Sequence, residues 1–186
     1  MAGKRTNAHR QSMMVAFCGM AAGLSVVMMQ LGGVIPIATY AVPMLCGLLL
    51  LPILLEFGQT AAWATFFSVA ALALLLGFDK EAAFFYLFIG YYPIVKWKLD
   101  KIQSRRLRAL AKLLLFTCAI VLMYALMALI FPLEAVLGEF KEMGVALTVA
   151  FVLIYDGCML VYDRLLMPAV VIYANRIQPK LKFLRA

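Results

Sequence analysis

KWKLDKIQSRRLRALAK, residues 96–112, interrupts a chain that is otherwise almost wholly apolar. It holds seven of the seventeen Lys and Arg residues. Lys4, Arg5 and Arg10 precede the first apolar run, and Arg164, Arg176, Lys180, Lys182 and Arg185 gather toward the C-terminal end. Only Lys80 and Lys141 lie elsewhere. Bases that flank membrane spans stay on the cytoplasmic side. An even number of spans between successive basic clusters therefore puts both termini and the 96–112 segment in the cytoplasm.

Composition agrees with that reading. The 186 residues are 66% hydrophobic with a mean hydropathy of +0.99, against roughly 45–50% apolar in an ordinary soluble domain. Lipid must cover the excess. The net charge of +8 is a topology signal that also meets anionic headgroups. It is no nucleic-acid footprint, because no segment could form a soluble domain with a basic face. Cys18, Cys46, Cys118 and Cys158 each sit in an apolar run without metal-ligand spacing, and are expected to be small buried apolar residues. The one histidine, His9, lies in the polar N-terminal tail. No metal site, catalytic residue or cofactor is expected. The N-terminus looks like a signal peptide, but more apolar sequence follows the run from Met13, so it reads as an uncleaved first span.

A span needs about 20 apolar residues. The expected fold is an all-α membrane protein, a six-transmembrane-helix bundle with N- and C-termini cytoplasmic, forming one integral membrane domain over 1–186. Its spans run over 13–31, 38–55, 60–77, 82–95, 110–131 and 144–173. Gly32-Gly33-Val-Ile-Pro36 closes the first, and Pro93 ends or bends the fourth. A loop holding Pro132, Glu134, Gly138, Glu139, Lys141 and Glu142 precedes the sixth. The outer loops collect acids (Asp79, Glu81, Glu134, Glu139, Glu142), and Trp63 and Trp97 fall near the cytoplasmic boundary.

Three groups of residues could carry function. Ala16, Gly19, Ala22 and Gly23 make a small-residue face on the first span. Such a face lets another helix approach closely, either within this chain or from a separate subunit. Asp156 lies about 17 Å along the sixth helix from Val145 at a rise of 1.5 Å per residue. An ionisable group at that depth must face protein or a water-filled cavity. It is read as a ligand contact or as a structural partner of Tyr124 or of backbone. Asp163, seven residues on, is read as an ion-pair partner of Arg164 or Arg106. Gln30, Thr39, Tyr40, Asp79, Lys80, Glu81, Phe85, Tyr86, Tyr124 and Thr148 gather near the outer ends. They would form either a pocket of aromatic walls and polar anchors or an interfacial belt. The 96–112 segment is expected to lie on the inner leaflet or to contact a cytoplasmic partner. No GxxxxGK[ST], GxSxG, HExxH or paired-cysteine motif occurs, which excludes ATP-driven transport by this chain alone.

With its length, six spans, cytoplasmic ends and the Gly19-xxx-Gly23 pair on helix 1, the chain resembles the substrate-binding S components of energy-coupling factor (ECF) vitamin transporters. Leu51-Pro52…Glu56-Phe57-Gly58 and Gly90-Tyr91-Tyr92-Pro93 are similar to stretches in bacterial proteins loosely grouped with them. The family pattern on helix 1 is AxxxA. Here Ala16 is followed at the fourth position by Met20, so Gly19 and Gly23 are the nearest equivalent. The resemblance implies a multi-pass protein of the cell inner membrane that captures a small-molecule micronutrient in an outward-facing pocket. It implies docking through helix 1 on a transmembrane coupling subunit driven by cytoplasmic ATPases. Tyr40, Asp79, Glu81, Phe85, Tyr86, Tyr124, Tyr155 and Asp156 would line the pocket. The competing expectation is a non-transporting scaffold of cell-envelope assembly resembling the MreD family, with its outer half filled by side chains. A membrane enzyme ranks last, since Asp156 has no evident polar partner.

Overall fold

The computed structural model describes residues 2–33, 38–77, 79–130 and 133–179, with side chains from residue 10 onward except 128, 133–146, 148 and 177. The expectations placed on Val34 to Pro36, on Pro132, and on the side chains of Glu134, Glu139, Lys141, Glu142 and Thr148 lie outside the described residues. Every regular element is helical: α1 (Ala2–Gly32), α2 (Ala38–Leu48), α3 (Leu50–Phe57), α4 (Gln59–Leu76), α5 (Lys80–Ile89), α6 (Tyr92–Leu99), α7 (Arg105–Ile130) and α8 (Leu133–Ile172), followed by a π-helical turn over Tyr173–Ile177.

Four stretches among the described residues are long and apolar enough to cross a membrane: Arg10–Gly32, Ala38–Phe57, Gln59–Leu76 and Arg105–Met127. They match the first, second, third and fifth expected spans. The second is interrupted at Leu49, between α2 and α3. Pro52 has no N–H for the carbonyl of Leu48, and its ring crowds that carbonyl. Leu49 N–H bridges the carbonyls of Leu45 and Cys46 at 3.3 and 3.2 Å instead.

Two expectations need correction. The fourth span, 82–95, is two helices, α5 and α6, parted at Gly90-Tyr91. Pro93 does not end a helix but sits second in α6, where a missing N–H costs nothing. The loop expected before 144 is helix from Leu133 onward. Leu, Glu, Ala, Lys and Met are strong helix formers. The Glu and Lys among them interrupt the apolar run without interrupting the helix.

The chain divides into two compact units, residues 1–94 with 165–186, and residues 95–164. In the first, α4 buries Ala62, Phe66, Val69, Ala70 and Ala73, which lie on one face at helical spacing. They join Ala22 and Met29 of α1, Cys46 of α2, Leu50 and Ile53 of α3, and Ala83 and Tyr86 of α5. The opposite face of α4 shows Phe67, Leu72, Leu75 and Leu76, with Leu75 78% exposed. A helix that buries alanine and presents leucine is built for lipid. In hydrocarbon, leucine gains nothing by leaving the surface, and small side chains let helices pack closely. Gly58 alone links α3 to α4. Its φ of +88° with ψ of −177° is open essentially to glycine only.

In the second unit α7 and α8 run antiparallel. Lys112 meets Asp163, Thr117 meets Asp156, and the Tyr124 ring meets Phe151 edge-on at 6.4 Å. Phe116, Ile120 and Met123 of α7, and Tyr155, Met159 and Tyr162 of α8, are buried. Leu113, Leu114, Val121, Leu122, Leu153, Ile154 and Val161 are exposed.

Candidate binding site and docking face

The first group of expected pocket residues converges in the first unit. Asp79 stands just before α5 with extended backbone. Its Oδ1 accepts the N–H of Ala82 at 3.0 Å, an N-cap that satisfies one of the helix's unpaired donors. Its Oδ2 accepts the Thr39 hydroxyl at 2.9 Å, tying α2 to the start of α5. At the next residue of α2, the Tyr40 hydroxyl donates to Glu81 Oε1 at 2.6 Å, and the Tyr40 ring meets Phe85 edge-on at 5.2 Å. Gln30 donates to the Leu76 carbonyl at 2.7 Å, and Lys80 to the Leu74 carbonyl at 2.8 Å. Both cover carbonyls at the end of α4.

Tyr40, Asp79, Glu81 and Phe85 are therefore brought together, but as mutual partners across two helix starts. Phe85 and Tyr86 are fully buried, and Tyr86 packs on Phe66 with ring centroids 5.4 Å apart. The cavity beside Asp79 and Gln30, about 10 Å³, has room for about one water.

The remaining expected residues, Tyr124, Tyr155 and Asp156, belong to the second unit. Asp156 is 6% exposed. Its partner is neither Tyr124 nor backbone, as expected, but Thr117, whose Oγ1 lies 2.9 Å from Oδ2. Among the described residues Oδ1 is buried with no hydrogen-bond partner. Such an oxygen is costly in a low-dielectric interior and accepts any donor that reaches it.

Asp163 is held differently from its expected pairing with Arg164 or Arg106. It accepts from Lys96 and, at 2.8 Å, from Lys112. The same two lysines meet Asp100 at 3.3 and 2.7 Å. Each lysine touches both aspartates, so the four charges alternate around a closed, neutral ring. Both lysine side chains are more than nine-tenths buried. Alternation offsets the desolvation that each charge incurs. The sequence reading missed Thr117, Lys96, Asp100 and Lys112 as partners. A signal was present for Lys112: a base within Leu110-Ala-Lys-Leu-Leu-Leu115 has to face protein.

On α1, Ala16, Gly19 and Gly23 are exposed, while Ala22 is buried against the core. A Cβ added at Gly19 or Gly23 would meet nothing within 4 Å. These glycines therefore do not serve close packing among the described residues. Gly19 and Ala22 line a groove of about 290 Å³ with Met14, Val15 and Cys18 of α1 and Ala61, Ala64, Thr65 and Ser68 of α4. Thr65 and Ser68 donate to the Ala61 and Ala64 carbonyls of their own helix, each at 2.9 Å. The groove thus offers a smooth surface of small residues with its hydroxyl protons already engaged.

The cysteines correct a further expectation. Cys46 alone is buried, Cys18 is half-buried, and Cys118 and Cys158 face outward. A thiol is apolar enough to sit on a lipid-covered face. Among the described residues no three His, Cys, Asp or Glu side chains converge as a metal site.

The chain is helical, with four stretches among the described residues long and apolar enough to cross a membrane, and in comparisons with known proteins it matches no family model, no curated protein and no solved structure.

Proposed function

We propose that this protein is the substrate-binding subunit of a micronutrient importer of the energy-coupling factor kind, a six-span protein of the cell inner membrane that docks on a coupling subunit through α1. The observation that carries the reading is the open face at Gly19 and Gly23, where two glycines approach no neighbour. Glycine within a helix costs about 1 kcal/mol relative to alanine. Close approach by a helix from another subunit accounts for that cost. The partner would be a transmembrane coupling subunit served by cytoplasmic ATPases. The buried Asp156 oxygen supports a ligand bearing a hydrogen-bond donor or a positive charge.

The test has two arms. Gly19→Ile with Gly23→Ile should abolish co-purification with a coupling subunit while leaving the variant folded. Mass spectrometry of small molecules released from protein purified from its own host should reveal one bound micronutrient. Protein that releases none and associates with no coupling subunit sinks the proposal.

One set of contacts favours the scaffold reading instead. In the first unit the Thr39–Asp79 and Tyr40–Glu81 bonds, with Phe85 and Tyr86 fully buried, fill the end where capture would begin. A scaffold would keep the α1 face as its partner contact and release no ligand in the second arm.

A further inference from the structure

We propose that the exposed bases Lys98, Lys101, Arg105 and Arg106 bind the headgroup phosphates of anionic phospholipids. The reasoning begins with the ring of Lys96, Asp100, Lys112 and Asp163. It consumes both acids of this region in neutralising two buried lysines. Among the described residues no further acid pairs with the bases around them. Lys98, Lys101, Arg105 and Arg106 are exposed and make no ion pair among the described residues. Arg105 and Arg106 also open α7, whose first turn holds no acid. Positive charge there adds to the positive end of the helix dipole and is unfavourable until an anion arrives. Arginine offers phosphate a two-pronged donor, and lysine a point charge.

Four unneutralised bases would also attract a free phosphate or nucleotide. Their surroundings favour lipid. Trp97 is 44% exposed and Leu107 60% exposed, directly beside the bases in sequence. A stretch long and apolar enough to cross a membrane begins at Arg105 itself. An indole and a leucine next to cations at a span's end match the boundary between headgroups and acyl chains. Each base near an anionic surface strengthens attraction by roughly fivefold, and salt weakens it. This inference does not rest on the proposed transport role.

The test uses the full chain in vesicles of phosphatidylcholine with a minor share of phosphatidylglycerol, one or the other brominated so that it quenches tryptophan. Brominated phosphatidylglycerol is expected to quench more than its mole fraction, and the excess should persist when inorganic phosphate is added. Trp97→Phe should remove the excess, which assigns it to this segment and not to Trp63. Arg105→Gln with Arg106→Gln should cut the preference by about 25-fold, at unchanged helix content by circular dichroism. Arg105→Lys with Arg106→Lys should keep most of it. Equal quenching by the two brominated lipids overturns the proposal. So does an excess that inorganic phosphate abolishes, that survives Trp97→Phe, or that is indifferent to Arg105→Gln with Arg106→Gln.

Discussion

Thr117 Oγ1 lies 2.9 Å from Asp156 Oδ2 and 3.0 Å from the carbonyl oxygen of Leu113, so a hydroxyl with one proton faces two acceptors. If the proton goes to Leu113, Asp156 is left without a donor. If it goes to Asp156, the carbonyl loses a second bond. With Oδ1 unpartnered among the described residues as well, α7 and α8 carry an unmet demand for hydrogen-bond donors.

That demand makes Asp156→Asn a stabilising change. An amide brings two donors of nearly the same shape and removes a charge from the membrane interior. Thermal unfolding in detergent should show a midpoint at or above that of the wild type. Thr117→Val should lower stability by about 1–3 kcal/mol, because it leaves a buried carboxylate bare. A lower midpoint for Asp156→Asn would mean that the carboxylate has a cationic partner.

The ring around Lys112 should behave in the opposite way. Lys112→Met leaves two aspartates facing one lysine, and breaking a buried ion pair on one side costs about 3–5 kcal/mol. Lys112→Met with Asp163→Leu removes one charge of each sign, and should recover much of that loss. A double-mutant cycle by denaturant unfolding reads the coupling. Additive losses would show that the two residues act separately.

Packing on α4 gives a third contrast. Ala70→Leu forces a larger side chain into a buried helix contact, at an expected cost of about 1–3 kcal/mol. Leu75→Ala alters a residue that is 78% exposed, and should stay within about 0.5 kcal/mol in micelles or bilayers. The reverse ranking would mean that Leu75 is covered by protein and not by lipid.

Gly58→Ala tests the one-residue link between α3 and α4. Its added Cβ meets no neighbour, so any cost is backbone strain alone. A glycine-only conformation implies about 1–3 kcal/mol, and Gly58→Asn should be no better, since the extended ψ lies outside the left-handed helical region. A neutral substitution would show that the turn relaxes into another conformation.

The readable and unreadable parts of this fold divide along physical lines. The four apolar helices were legible because a membrane demands about 20 apolar residues at a stretch, and runs such as 13–31 and 60–77 show this directly. The break at Gly90-Tyr91 was not, because Pro93 is a louder signal than Gly90. Yet a Cβ at Gly90 would press to 2.7 Å on the Tyr86 carbonyl. The helix over 133–143 was masked by charges that composition alone assigns to loops. Of the site residues, the nearness of Tyr40 to Glu81 could be suspected from topology, since both flank predicted outer turns. The pairing of Thr117 with Asp156 could not, because a lone threonine in an apolar helix ordinarily bonds its own backbone, as Thr117 also does. Asp163 was recognised as an ion-pair residue but given the wrong bases. Arg164 is adjacent in sequence and points elsewhere on the helix, whereas Lys112 arrives from 51 residues away.

That last separation bears on how the protein is made. Lys96, Asp100 and Lys112 leave the ribosome well before Asp163, and until it emerges two cations share a single counter-ion. A nascent chain in that state holds one lysine charge of this ring without a counter-ion. Arrival of the Asp163 carboxylate balances the two ring lysines, while the exposed bases around them keep their charge. Emergence of residue 163 and closure of the ring are thereby one event, and a truncated product stopping short of that residue would keep two buried lysines on a single counter-ion.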